Sequence, residues 1–264
     1  MGLLQKIVGG IKEYYVAIIS FLLIIILWEL AVHQFEIPDY LLPAPWVILK
    51  GLKADIILFA PHIQMTLIEI VVGYLLAVIL SILLALGVTY SKFLEKLIYP
   101  YLLTFQTVPK IAIAPIFIIW FGIGLMPRLI IVLLITFFSI TINTIAGFRA
   151  MSREYSELMK SVAASEIQTF VKIRFPYALP YIFSGLKIGA TNAVIGAIIA
   201  EWIASGAGIG YILNIANSEL RTDRAFEAIL LLVIIGILFF LLIALLEKKI
   251  SWQQSEVSEA VTKM

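Results

Sequence analysis

The 264 residues contain no cysteine, which excludes a disulfide framework, a thiolate metal site and a cysteine nucleophile. Histidine is almost as scarce, with only His33 and His62, so a histidine-based metal or catalytic centre has little to work with. No G-x-x-x-x-G-K-[ST], H-E-x-x-H or G-x-S-x-G sequence occurs, and nothing points to a cofactor, a metal or a nucleic acid. Charge is sparse as well: 14% of residues are charged against 62% hydrophobic, and the mean hydropathy is +1.07. That balance excludes a water-soluble globule and places the chain in a bilayer.

The apolar runs are continuous and do not alternate, so spanning strands are excluded in favour of helices that satisfy their own backbone. Three runs, Ile70 to Ser91, Leu129 to Phe148 and Ala228 to Leu246, carry no charge over the roughly 20 residues a helix needs to cross a bilayer. Three more carry a charge or two: Tyr14 to His33 with Glu29, Leu97 to Gly122 with Lys110, and Tyr181 to Ser205 with Lys187 and Glu201. The expected fold is an all-α, six-helix integral membrane protein. One membrane domain over 14–250 is expected, between a segment 1–13 that follows the membrane surface and a tail 251–264.

Orientation follows from the basic residues. Lys6, Lys12, Lys92, Lys96, Arg149, Arg153, Lys160, Lys172, Arg174, Lys187, Lys248, Lys249 and Lys263 fall on one side of the six spans; Lys50, Lys53, Arg128, Arg221 and Arg224 fall on the other. Both termini and the polar segment around Glu157 are therefore expected in the cytoplasm. The first span lacks a small-residue cleavage site after Trp28-Glu29 and is expected to be a retained anchor.

Prolines and glycines interrupt the pattern at four places. Ile37-Pro-Asp-Tyr-Leu-Leu-Pro-Ala-Pro45 predicts an extended turn, followed by a short amphipathic helix over Trp46 to Phe59. Gln106-Thr-Val-Pro-Lys-Ile-Ala-Ile-Ala-Pro115 predicts a break in the third span. Ser205-Gly-Ala-Gly-Ile-Gly210 predicts close backbone approach or a re-entrant turn buried in protein. Between the fourth and fifth spans, Ser165-Glu-Ile-Gln168 reads as a capping box. It should start a helix that Pro176 stops, after a first helix running from Ser152 to about Ala163 and Ala164.

This last segment resembles the EAA loop of the permease subunits of bacterial ATP-binding-cassette importers. Glu157 matches the glutamate, Leu158 and Met159 stand for the two alanines, Ala163 for the glycine, and Ile173-Arg-Phe-Pro176 for the ending. Alanine at 163 resists the left-handed conformation that glycine accepts. Leu41-Leu-Pro-Ala-Pro45, Gln106-Thr-Val-Pro-Lys110, Ile119-Trp-Phe-Gly-Ile-Gly124, Pro176-Tyr-Ala-Leu-Pro180, Gly185-Leu-Lys187, Ala200-Glu201 and Gly208-Ile-Gly-Tyr-Ile212 are similar, in the same order, to the sulfonate, taurine, nitrate and thiamine-precursor branch of these permeases.

The resemblance implies a type I importer permease in a bacterial cytoplasmic membrane, without catalytic residues. It implies a homodimer, bound by ATP-binding-cassette ATPase subunits in the cytoplasm and by an extracytoplasmic substrate-binding protein. The segment 149–180 would be the coupling element, with Glu157, Leu158, Met159, Ala163, Ala164, Ser165 and Pro176 at its centre. The solute is expected to be a vitamin precursor, a sulfonate or a nitrate-like anion.

Lys110, Asn143, Glu201, Gly206, Gly208 and Gly210 are candidates for the pathway or its gate. An ammonium at a helix break inside a span needs water, a partner or a short path to the surface, so Lys110 either attracts an anionic or polar solute or snorkels to the interface. Glu201 is expected to accept hydrogen bonds from the glycine turn, and Asn143 to bond between helices. Glu29 and Glu69 are placed at a membrane boundary, His62 in a loop, and Lys160, Lys172 and Arg174 at lipid headgroups. An ion-coupled secondary transporter would show paired intramembrane acids and duplicated halves, and an intramembrane enzyme would show convergent nucleophile and base. Neither pattern is evident.

Overall fold

A computed structural model of the chain describes the backbone of residues 3–204 and 206–262 and the side chains of 15–203 and 206–250. The side chains of 1–14, 204 and 251–264, the backbone of 1, 2, 263 and 264, and all of Ser205 lie outside the described residues. Every regular element among them is helical: α1 Leu3–Gln34, α2 Pro45–Tyr90, α3 Lys92–Thr107, α4 Lys110–Phe121, α5 Leu125–Arg149, α6 Arg153–Ser161, α7 Glu166–Thr169, α8 Phe175–Ala204, α9 Ile209–Ser218 and α10 Thr222–Thr262. A π-helical turn, Phe170–Arg174, joins α7 to α8.

Five helices are long and apolar enough to cross a membrane, and the pair α3 and α4, bent by 103°, makes a sixth if counted as one span. The bend comes from Val108 and Pro109, both extended: proline disfavours the α region for the residue before it and brings no N–H of its own. Pro61, Pro100, Pro115 and Pro180 lie inside helices without ending them, as apolar spans tolerate when neighbours re-satisfy the freed carbonyl. The separate helix expected over Trp46 to Phe59 is accordingly the first part of α2. Pro45 takes the opening position, where a missing N–H costs nothing.

The chain divides into two compact units, Met1–Ala60 with Ile212–Leu230, and Pro61–Tyr211 with Leu231–Met264. In the first, Glu29 does more than sit at a boundary: its Oε2 accepts from the Trp46 N–H at 3.0 Å, capping α2, while Arg224 pairs with Asp55 at 2.9 Å. In the second unit α8 packs along α5 through small residues. A Cβ on Gly196 would lie 2.9 Å from the Val132 Cα, and one on Gly185 2.8 Å from the Asn143 Cβ. Asn192 Nδ2 donates to Ser139 Oγ across this seam at 2.8 Å, whereas Asn143, expected to bond between helices, donates to the Ser139 carbonyl of its own helix at 2.8 Å.

Close approach of this kind drives helix association in lipid, where no hydrophobic force brings helices together. Gly196→Leu should lower stability in detergent by about 1 to 3 kcal/mol through overpacking, read as a lower midpoint of unfolding in a denaturing-detergent titration. An unchanged midpoint would mean that the seam is slack.

Candidate functional site

The segment between α5 and α8 is built from consecutive local signals. α6 ends in a Schellman turn: the Ala163 N–H donates to the Lys160 carbonyl at 3.0 Å and the Ala164 N–H to the Met159 carbonyl at 2.9 Å. Ala163 takes a φ of 51°, so the alanine enters the left-handed region it disfavours, at a cost on the order of 1 kcal/mol. Ser165 then closes the capping box, with its Oγ accepting from the Gln168 N–H at 3.2 Å and its N–H donating to Gln168 Oε1 at 2.9 Å.

The helix does not stop at Pro176. The π-helical turn carries the chain into α8, and the Phe175 N–H donates to the Phe170 carbonyl five residues back. A widened turn relieves the clash that a proline in the next position would make with an α-helical carbonyl.

Phe170, in that turn, ties the segment to the spans. Its ring lies 5.9 Å from Tyr90, 5.6 Å from Phe148 and 5.9 Å from Phe175. It packs against the core of Val88, Leu102, Ile145, Phe148, Ala178 and Ile182. Arg174, expected among lipid headgroups, lies over the Tyr90 ring at 5.3 Å. Along the same segment, Glu157, Leu158, Val162, Ile167 and Val171 are exposed. Ile167 is 76% exposed, far more than an apolar side chain facing its own core.

A second cluster joins α2, α5, α8 and the glycine turn. Gly208, Ile209 and Gly210 donate their N–H groups in turn to His62 Nδ1 at 3.0 Å, Thr66 Oγ1 at 2.9 Å and Glu201 Oε2 at 2.7 Å. The other carboxylate oxygen of Glu201 accepts from the Thr66 hydroxyl at 2.6 Å. Gly208, at φ 108°, has no room for a Cβ beside Glu201, while Gly206 is exposed. Glu69, expected at a membrane boundary, is fully buried and ion-paired with Arg128; Arg128 Nε also donates to the Gly124 carbonyl at 2.8 Å. His62, Thr66 and Glu69 lie at i, i+4 and i+7, one face of α2.

Lys110 opens α4 at the bend and lines a cavity of about 300 Å³ with Phe105, Phe117, Ile131, Ile135 and Phe138. Asn143 is not among the cavity's lining residues.

Comparison with known proteins identifies the family to which these long apolar helices belong. Residues 77–252 match the family described as binding-protein-dependent transport system inner membrane component. The chain belongs to that family. It is 34% identical to the formylaminopyrimidine transport permease protein ThiX of Halalkalibacterium halodurans, over 89% of this chain and 95% of that one. It is 30% identical to the riboflavin transport system permease protein RibX of Chloroflexus aurantiacus, over 90% of each. Among solved structures it resembles an amino acid ABC transporter crystallised with histidines, with a TM-score of 0.61 and 17% identity over 78% of this chain and 98% of that one. At that identity the likeness concerns the fold alone, the six-helix type I permease.

Family membership makes this chain a multi-pass membrane transport component, the permease subunit of an ATP-binding-cassette importer, and decides against the ion-coupled transporter. Sequence reasoning did not reach Phe170, which carries no motif, nor the pairing of Glu69 with Arg128. The polar stripe at 62, 66 and 69 on an apolar helix was the available signal. Removing one partner of a buried ion pair strands the other. Arg128→Met should therefore cost about 3 to 5 kcal/mol of stability, and adding Glu69→Met should recover part of it. Thermal unfolding of the two purified variants measures this; a double variant no better than the single one contradicts it.

Proposed function

We propose that this permease forms, as a homodimer, the membrane path of an importer for a small vitamin-precursor heterocycle delivered by an extracytoplasmic binding protein. ATP is hydrolysed on a separate subunit that docks on the segment 149–180 in the cytoplasm, and the permease itself catalyses nothing. The observation that carries this reading is the build of that segment: exposed apolar side chains along it, with Phe170 packed among Tyr90 and Phe148. A rigid, capped element of this kind turns movement of a docked partner into tilting of α8, because packed helices shift as bodies. Glu157 and Leu158 meet the partner. Met159, Ala163, Ala164 and Ser165 hold the turn, and Pro176 follows the π-helical turn into α8. The excess of basic residues on this side supports cytoplasmic termini.

The relatives named for a pyrimidine and a flavin support the heterocycle over a sulfonate or nitrate. Glu201, Gly208 and Gly210 serve as a fixed joint beside the path.

Purification of the tagged chain from its native membranes in mild detergent, followed by an ATPase assay, is the first test; a chain that comes out alone and still transports on an ion gradient refutes the proposal. Leu158→Glu or Glu157→Lys should reduce the co-purified ATPase about tenfold, the loss typical of a central interface contact. Phe170→Ala should leave the ATPase bound and active while uptake falls. Normal uptake by all three variants would remove the segment from coupling.

A further inference from the structure

We propose that the cavity at the α3–α4 bend is a binding site for a planar aromatic anion of one or two rings, with Lys110 holding the negative group and Phe105 and Phe138 holding the ring. The proposal deepens the importer reading and rests on it for the identification of this ligand as cargo. Three observations carry it. First, Lys110 is half-buried inside a stretch that passes for a membrane span only as a bent pair, and among the described residues no carboxylate pairs with it. An ammonium in such surroundings is costly unless a counter-charge reaches it.

Second, among the described residues Lys110 meets a π face, that of Phe138 at 5.7 Å from the ring centroid. The cation therefore points along the same wall against which a ring would lie. Phe105 and Phe138 are stacked, with ring centroids 6.0 Å apart and planes 20° from parallel, and both line the cavity, so a ligand ring can extend the stack. Ile131 and Ile135, both almost fully buried, close the back of the cavity with apolar atoms.

Third, the volume of about 300 Å³ stands at the lower end of the range for small-molecule sites, which limits the occupant to one or two rings. Charge complementarity selects an anion, and the aromatic wall selects flatness. A lipid acyl chain would leave the ammonium without a counter-charge.

The test is binding to the full chain in detergent by equilibrium dialysis, corrected for empty micelles, with three probes: 1-naphthoate, cyclohexanecarboxylate with the same charge and no ring, and 1-naphthylmethylammonium with the ring and the opposite charge. Naphthoate should bind saturably and the other two about tenfold more weakly or not at all. Lys110→Met and Phe138→Leu should each weaken naphthoate about tenfold, and Lys110→Arg should retain it, with unchanged helicity by circular dichroism.

Equal binding of naphthoate and cyclohexanecarboxylate, or naphthoate binding untouched by Lys110→Met, overturns the proposal. So does a wild type that binds no naphthoate while Lys110→Met changes its oligomeric state, since the cavity is then an interface between copies. Loss of the site with the ATPase still co-purifying refutes this inference alone. Lys110-dependent binding to a chain that carries no ATPase leaves the site standing and removes the importer.

Discussion

A backbone that leaves its helix while buried among other helices has no water to receive its hydrogen bonds, and this constraint organises the glycine turn before α9, where 208 to 210 are buried. Three successive N–H groups are freed at 208 to 210, and each has its own side-chain acceptor. Two of the acceptors come from α2 and one from α8. The turn can exist only while those helices hold their places, so the polar cluster fixes the C-terminal end of α8 as firmly as the small-residue seam fixes its middle. The carboxylate of Glu201 is suited to this by charge as well as geometry, since the start of a helix carries a partial positive charge.

Arg128 shows the same economy at the start of α5. Its guanidinium pairs with Glu69 of α2 and reaches back to the Gly124 carbonyl, one of the groups that the loop before α5 would otherwise leave unsatisfied. Burying such a pair is poor value for stability alone, because desolvation offsets the attraction. In a membrane helix the alternative is worse: an unpaired charge or a bare carbonyl. Specific polar contacts placed where the chain must bend are what permit irregular backbone among apolar helices.

The parts of this architecture that were legible in the sequence are those written in local chemistry. Continuous apolar runs announced the spans, Val108-Pro109 the break, Ser165 and Gln168 the capping box, and the glycines at 208 and 210 the close backbone approach. What was not legible depends on partners distant in sequence. Nothing in Glu69 alone reveals Arg128, 59 residues away, and Phe170 gains its place only when α2 and α5 bring Tyr90 and Phe148 to it. Proline was misleading in the same way. Pro176 reads as a stop from its own geometry, yet a π-helical turn absorbs it.

Ala163 bears on how the segment between α5 and α8 performs. The left-handed turn persists there without glycine because both neighbours over-determine it: the Schellman hydrogen bonds close α6 on one side and the capping box opens α7 on the other. A residue held in a disfavoured conformation by its surroundings is less free than a glycine in the same place, since glycine has many alternatives to lose. The alanine therefore raises the energy of the turn and narrows its motion at once. With Phe170 packed in the aromatic cluster a few residues later, the segment between α6 and α8 is held at both its turn and its end, which is the rigidity that the proposed coupling role requires.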